Sequence, residues 1–216
     1  MMINSEKLYL HLSKLYQEIY HQPPDDGHDD WATYAISELC PEVDTVLDVG
    51  CGVGFCEPIF RARGVSYSGC TLGEEDYQAA KLVHRPVIRC DMSDIPVLDN
   101  SVDMIFARHV LEHSPMPIIS LMEWKRISRQ YLFLIMPAPE YWTYRGLNHY
   151  SVMNKDQLWN LFETVGWKVL EERDFMTSDK WFMKHYMPEV KERGDLAYPG
   201  RPIPVEYWYI LEKEAE

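Results

Sequence analysis

The chain has 216 residues, 46% of them hydrophobic, enough for one domain with a substantial core, and no stretch approaches the roughly 20 apolar residues that would cross a bilayer. Acidic residues outnumber basic ones 34 to 21, giving a net charge of −13 with no concentrated Lys/Arg footprint, so neither nucleic acid nor a membrane is an expected partner. The N-terminus lacks the apolar run of a secretory signal, and Cys40, Cys51, Cys56, Cys70 and Cys90 include no CxxC pair; a cytoplasmic protein with reduced thiols and no metal is expected.

Leu8, Leu12, Leu15, Tyr16 and Ile19 recur at helical spacing over 6–20, and Pro23, Pro24 and Gly27 break the pattern. A second helix is predicted from Asp30 to Leu39, capped by Asp29 or Asp30. TVLDVG then forms a short buried strand ending at glycine. A helix near 55–63, a strand at 65–70, a helix at 74–82 and a strand at 87–90 follow. Next come a strand at 102–107, a helix at 116–128 and a strand at 131–136. After an aromatic stretch, Asn154 caps a helix through Phe162 that Gly166 stops, and WKVLEER and VEYWYILEK are the last two strands, predicted to pair as a hairpin. The Lys180–Lys184 region, interrupted by Trp181, Phe182 and Met183, reads as a packed segment inside an unassigned stretch, 175–204. Strands alternating with helices predict an α/β fold: a doubly wound, Rossmann-like sheet of seven strands, mostly parallel with an antiparallel last strand, and helices on both faces. The expected organisation is one domain over 1–216, with a helical cap at 1–40, a ligand-binding core at 41–172, and a lid-like segment with the final strand at 173–216.

The turn after the first strand carries the chemistry. Val46-Leu47-Asp48-Val49-Gly50-Cys51-Gly52-Val53-Gly54 places glycines between a strand and a helix, where the backbone can approach a ligand closely. It lacks the Lys-Ser/Thr of a P-loop, and its GxGxG spacing is not the GxGxxG of a dinucleotide site. Asp48 beside the glycines would repel a pyrophosphate but suits a ligand bearing ammonium or sulfonium charge.

VLDVGCGVG resembles motif I of class I S-adenosylmethionine-dependent methyltransferases. DNSVDMIFARHVLEHS and HYSVMNKDQLWNLFETVGWKVLE resemble the fourth-strand motif and the late helix and sixth strand of the type 11 small-molecule branch. The resemblance covers roughly residues 40–172 and implies S-adenosyl-L-methionine as cofactor and S-adenosyl-L-homocysteine as product. It implies that Asp48, Gly50, Cys51, Gly52 and Gly54 lie against the methionyl part, Asp91 meets the adenine amino group, and Met92 flanks the ring. After the second strand, the usual ribose-binding acid is replaced by Gly69-Cys70-Thr71-Leu72, as in cyclopropane-synthase-like members, whose ribose-binding glutamine corresponds here to Asp76. Asp76, helped by Thr71 and Leu72, is therefore expected to hold the ribose, as a carboxylate accepts two hydroxyl hydrogen bonds well.

By the same resemblance, Ala107, Arg108 and His109 border the cofactor. His109 and His113, four apart, would share a face if helical, but no HExxH pattern or third ligand accompanies them. His149, in the loop before the late helix, is the expected base for a hydroxyl acceptor, with His113 the other candidate; Tyr141, Trp142 and Tyr144 are expected to line the acceptor pocket. The predicted reaction is methyl transfer to a small-molecule acceptor, an O-methylation. The alternatives are a non-catalytic, cofactor-binding regulatory or partner subunit, and a protein or nucleotide methyltransferase.

Overall fold

Short apolar runs such as Leu132–Met136, with no exposed residue, demand a layer on each side, and the chain supplies both. The computed structural model describes residues 6–7, 10–12, 28–141, 148–185 and 201–214. Its strands are β1 (Thr45–Val49), β2 (Ser66–Thr71), β3 (Val87–Arg89), β4 (Val102–Arg108), β5 (Ser128–Pro137), β6 (Trp167–Met176) and β7 (Pro204–Lys213). They form one seven-stranded sheet in the order β3-β2-β1-β4-β5-β7-β6. The first five pair in parallel, whereas β7 runs antiparallel between β5 and β6. The expected fold class is therefore the one observed.

The helices are α1 (His28–Leu39), α2 (Glu57–Ala62), α3 (Glu74–Leu82), α4 (Pro117–Ile127), α5 (Lys155–Val165) and α6 (Lys180–His185). Period-2 alternation splits β5 between two cores: Phe133 and Ile135 join Trp31, Phe60, Phe182 and Trp208 under α1, α2 and α6, while Leu132, Leu134 and Met136 join Trp124, Leu158 and Phe162 under α4 and α5. Reversal at β1 sends successive connections to opposite sides of the sheet, and the crevice this opens lies at the carboxyl ends of β1 and β4.

Several boundaries differ from expectation. Residue 28 is already helical, so Asp29 and Asp30 lie inside α1 rather than capping it. β5 starts at Ser128, directly at the end of α4, where the Ser128 hydroxyl donates to the Tyr131 carbonyl. β6 takes the first two residues of the unassigned stretch, and α6 forms within it because Phe182 is buried and Trp181 stacks on Tyr34 at 5.5 Å. Of the predicted first helix only residues 6–7 and 10–12 are described, and they are helical. The remainder of that helix, Pro23–Gly27, Trp142, Tyr144 and residues 186–200 lie outside the described residues. The five cysteines form no disulfide.

α5 shows why its limits were readable. Asn154 accepts from the Gln157 amide at 3.0 Å while Gln157 accepts from the Asn154 amide at 3.1 Å, and Gly166 closes the helix in the left-handed conformation. Asn154→Ala should therefore lower stability by about 1 kcal/mol in urea unfolding, and an unchanged midpoint would show that the capping box contributes nothing.

Candidate functional site

β1 delivers its carboxyl end to the glycine turn. Gly50 and Gly52 have φ of 68° and 54°, and a Cβ on Gly50 would overlap the Val110 side chain, so the turn is built for bare backbone. The Cys51 amide donates to the Cys70 carbonyl at 3.0 Å, tying the turn to the end of β2. Asp48 sits beneath it, buried, and accepts from the Tyr67 hydroxyl at 2.8 Å. Burial pushes the Asp48 carboxyl up to about 7, against the opposing pull of Tyr67, Cys56 and Arg108. Tyr67 was not singled out from sequence; its only signal was its place two residues before Gly69, the register partner of Asp48.

Around this turn the structure gathers most of the predicted side chains. Asp76, unlike its exposed neighbours Glu74 and Glu75, is buried, with Oδ2 4.0 Å from where a Cβ on Gly52 would stand. Thr71 is buried at the end of β2 and Leu72 half-buried after it. Asp91 follows β3, where its Oδ1 accepts from the Ser93 amide at 2.7 Å, and the carbonyl of half-buried Met92 accepts from the Trp124 indole at 2.9 Å.

β4 ends in a segment that departs from expectation. His109 has a φ of 52° and Leu111–His113 is a single 3-10 turn, so His109 and His113 do not share a helical face. Ala107 is buried in the sheet. Arg108 and His109 turn instead to Glu206 of β7, at 3.1 and 2.6 Å from its Oε1, and the Trp208 indole donates to Oε2 at 2.7 Å. Burial pushes the Glu206 carboxyl up, but Arg108, His109 and Trp208 outweigh it and bring it down to about 2. Sequence reasoning missed Glu206, although an acid set just before the apolar run YWYIL was the available signal.

His113 and His149 do come together, with ring centres 4.8 Å apart and planes at 75°. His113 Nδ1 lies 3.2 Å from the Asn148 carbonyl. Burial, His149 and His109 pull His113 down to about 4, and burial followed by His109 lowers His149, so both rings are neutral near neutral pH. Fully buried Glu112 completes the cluster, its ligand atom and those of the two imidazoles lying within 4.8 Å of one another. This cluster is not the His109–His113 pair considered from the sequence, since His109 turns to Glu206 instead. Tyr141 is buried against Phe182, a packing position. A groove of roughly 670 Å³ lined by Pro41, Asp44, Arg63 and Asp103 lies at the start of β1 and β4, the opposite end from these residues. Among the described residues no helix is long and apolar enough to cross a membrane.

Residues 47–135 match the methyltransferase domain family. An uncharacterized methyltransferase of Mycobacterium sp. (strain KMS) is 35% identical over 97 residues, 44% of this chain and 38% of that protein. Another, from Mycobacteroides abscessus, is 34% identical over 92 residues, 39% of this chain and 36% of its own. The chain therefore spans well under half the length of these relatives. Among solved structures, a chain of the complex containing the Haloferax volcanii Trm112 methyltransferase activator aligns with a TM-score of 0.67, at 18% identity over 88% of this chain and 95% of that one. An S-adenosylmethionine-dependent methyltransferase from Mesorhizobium loti aligns with a TM-score of 0.64, at 17% identity over 87% and 99%. These two likenesses concern the fold alone.

Asp48 gives a pH test of the site. Its folded pKa of about 7 stands above the roughly 3.9 of an unfolded aspartate, so its contribution to stability is full below the lower value and is lost as pH rises to the higher. Asp48→Asn escapes that loss. Its stability relative to the parent should rise between about pH 4 and about pH 7 and then level off, and a difference constant across urea unfolding series would contradict the buried, protonated state.

Proposed function

We propose that the chain, whose residues 47–135 match the methyltransferase domain family, is a class I S-adenosylmethionine-dependent methyltransferase that methylates a small hydroxylated acceptor, releasing S-adenosylhomocysteine. The observation that carries this reading is the turn itself: positive-φ glycines leave bare backbone at the carboxyl end of β1, with buried Asp76 facing Gly52. That arrangement fits the cofactor, since a close-approaching backbone and a carboxylate acceptor for two hydroxyls are what its methionyl and ribose parts require.

In this reading the backbone of Gly50, Cys51, Gly52 and Gly54 holds the methionyl part above Asp48. Asp76, with Thr71 and Leu72 beside it, takes the ribose; Asp91 takes the adenine amino group, and Met92 flanks the ring. Ala107, Arg108 and His109 border the other side, fixed by Glu206. When bound, the cofactor supplies a methyl group on a sulfonium, already a good leaving group. The protein's task is then to orient the acceptor and exclude water. A hydroxyl must also lose its proton, and the neutral, half-buried His113–His149 pair offers imidazole lone pairs for that. The acidic net charge supports a small molecule rather than a polyanion as acceptor.

Calorimetric titration tests the reading. S-adenosylmethionine and S-adenosylhomocysteine should bind in the micromolar range and NADH should not; Asp76→Ala should weaken binding at least ~10-fold, about 1.4 kcal/mol. No binding to the folded chain would overturn it. Binding without S-adenosylhomocysteine production across hydroxylated metabolites would favour a non-catalytic, cofactor-binding subunit.

A further inference from the structure

Glu112 is the one component of the 108–113 segment with nothing to hold. It is fully buried, and neither carboxylate oxygen meets a hydrogen-bond donor among the described residues. Its nearest basic neighbour, His109 Nδ1, is 3.8 Å away, too long for a hydrogen bond. His109 Nε2 is committed to Glu206 at 2.6 Å. Burying a carboxylate without partners costs several kcal/mol unless a proton or a cation neutralises it.

We infer that Glu112, His113 and His149 form a divalent transition-metal site beside the glycine turn. Three observations carry this. The ligand atoms of the three side chains already lie within 4.8 Å of one another. Bonds of about 2.0–2.2 Å place ligand atoms roughly 3–3.5 Å apart, so closure by about an ångström suffices, and half-buried His149 lies outside any helix or strand. His113 Nδ1, donating to the Asn148 carbonyl at 3.2 Å, leaves the Nε2 lone pair for a cation, the orientation that metal-bound imidazoles receive from a backbone carbonyl. Finally, the unpartnered oxygens of Glu112 supply the negative ligand.

Two imidazoles and one carboxylate suit zinc, iron(II), cobalt(II) or manganese(II) rather than calcium or magnesium, which take oxygen ligands, and three protein ligands leave coordination positions open. Val110, two residues before Glu112 in the chain, packs over Gly50, so the segment that carries Glu112 and His113 leaves directly from the turn assigned to the cofactor. If the methyl-transfer reading stands, on which this last step rests, an acceptor hydroxyl takes an open position. Its O–H bond breaks, the proton passes to water, and the oxygen keeps the electron pair under the cation's charge. The two histidines then serve proton removal as ligands rather than as bases.

Cobalt(II) titration of the full chain, followed by calorimetry and visible absorption, tests the inference. One equivalent should bind with ligand-field bands and no thiolate charge-transfer band, and Glu112→Gln and His149→Ala should each weaken binding at least tenfold. Circular dichroism identifies any variant that fails to fold, and His149→Ala, in a loop, leaves the cores intact. Absence of stoichiometric binding, a thiolate band, or unchanged affinity in folded His149→Ala would overturn the site. S-adenosylhomocysteine titrated into the same samples separates the two readings: its binding without cobalt overturns the metal site alone, whereas cobalt binding without it leaves the metal site standing and removes the methyl-transfer reading.

Discussion

A carboxylate with no exposed surface holds the working end of this molecule together. Glu206, on the antiparallel strand β7, reaches Arg108 and His109 at the end of β4 and accepts from Trp208 on its own strand. Taking such a charge out of water costs several kcal/mol, and only the full set of donors offsets it, which is why its pKa falls to about 2 despite burial. The consequence reaches beyond one ion pair. With Arg108 also lying 5.6 Å above the Trp31 ring, the chain leaving β4 is pinned from both β7 and α1. His109 is held in a left-handed conformation that only over-determination by its surroundings sustains. Val110 is then carried over Gly50, and the glycine turn acquires its wall.

This dependence explains what was legible in the sequence. The strands and helices followed from local pattern: a β-branched run for β1, apolar alternation with helices through β5, the Asn154–Gln157 box and Gly166 for α5. The glycine turn was readable because only glycine accommodates its conformation and Val110's approach. Asp76, which the fold buries, was singled out only through a resemblance, since Glu74-Glu75-Asp76 alone reads as a solvated acidic turn. What escaped were pairings between distant strands. Glu206 is 98 residues from Arg108 along the chain, and no periodicity connects them. The helical spacing of His109 and His113 misled for the same reason: a tertiary ion pair overrode the local pattern.

The two buried glutamates flanking His109 show how differently one chain can treat the same side chain. Both are fully enclosed, yet Glu206 is pulled down to about 2 while burial, only partly opposed by His109 and Arg108, pushes Glu112 up to about 7. The difference is the supply of side-chain donors: Glu206 has an arginine, a histidine and an indole, whereas no side chain among the described residues donates to Glu112. A fully satisfied buried charge rigidifies what it touches, and that is the role Glu206 plays for the β4 exit. Displaced pKa values pushed in opposite directions side by side are more characteristic of sites that do chemistry than of scaffolds. Since Glu206 answers the structural requirement by itself, nothing in the packing calls for a second carboxylate three residues after His109. The site inferred at Glu112, His113 and His149 gives that carboxylate a role separate from the one Glu206 plays.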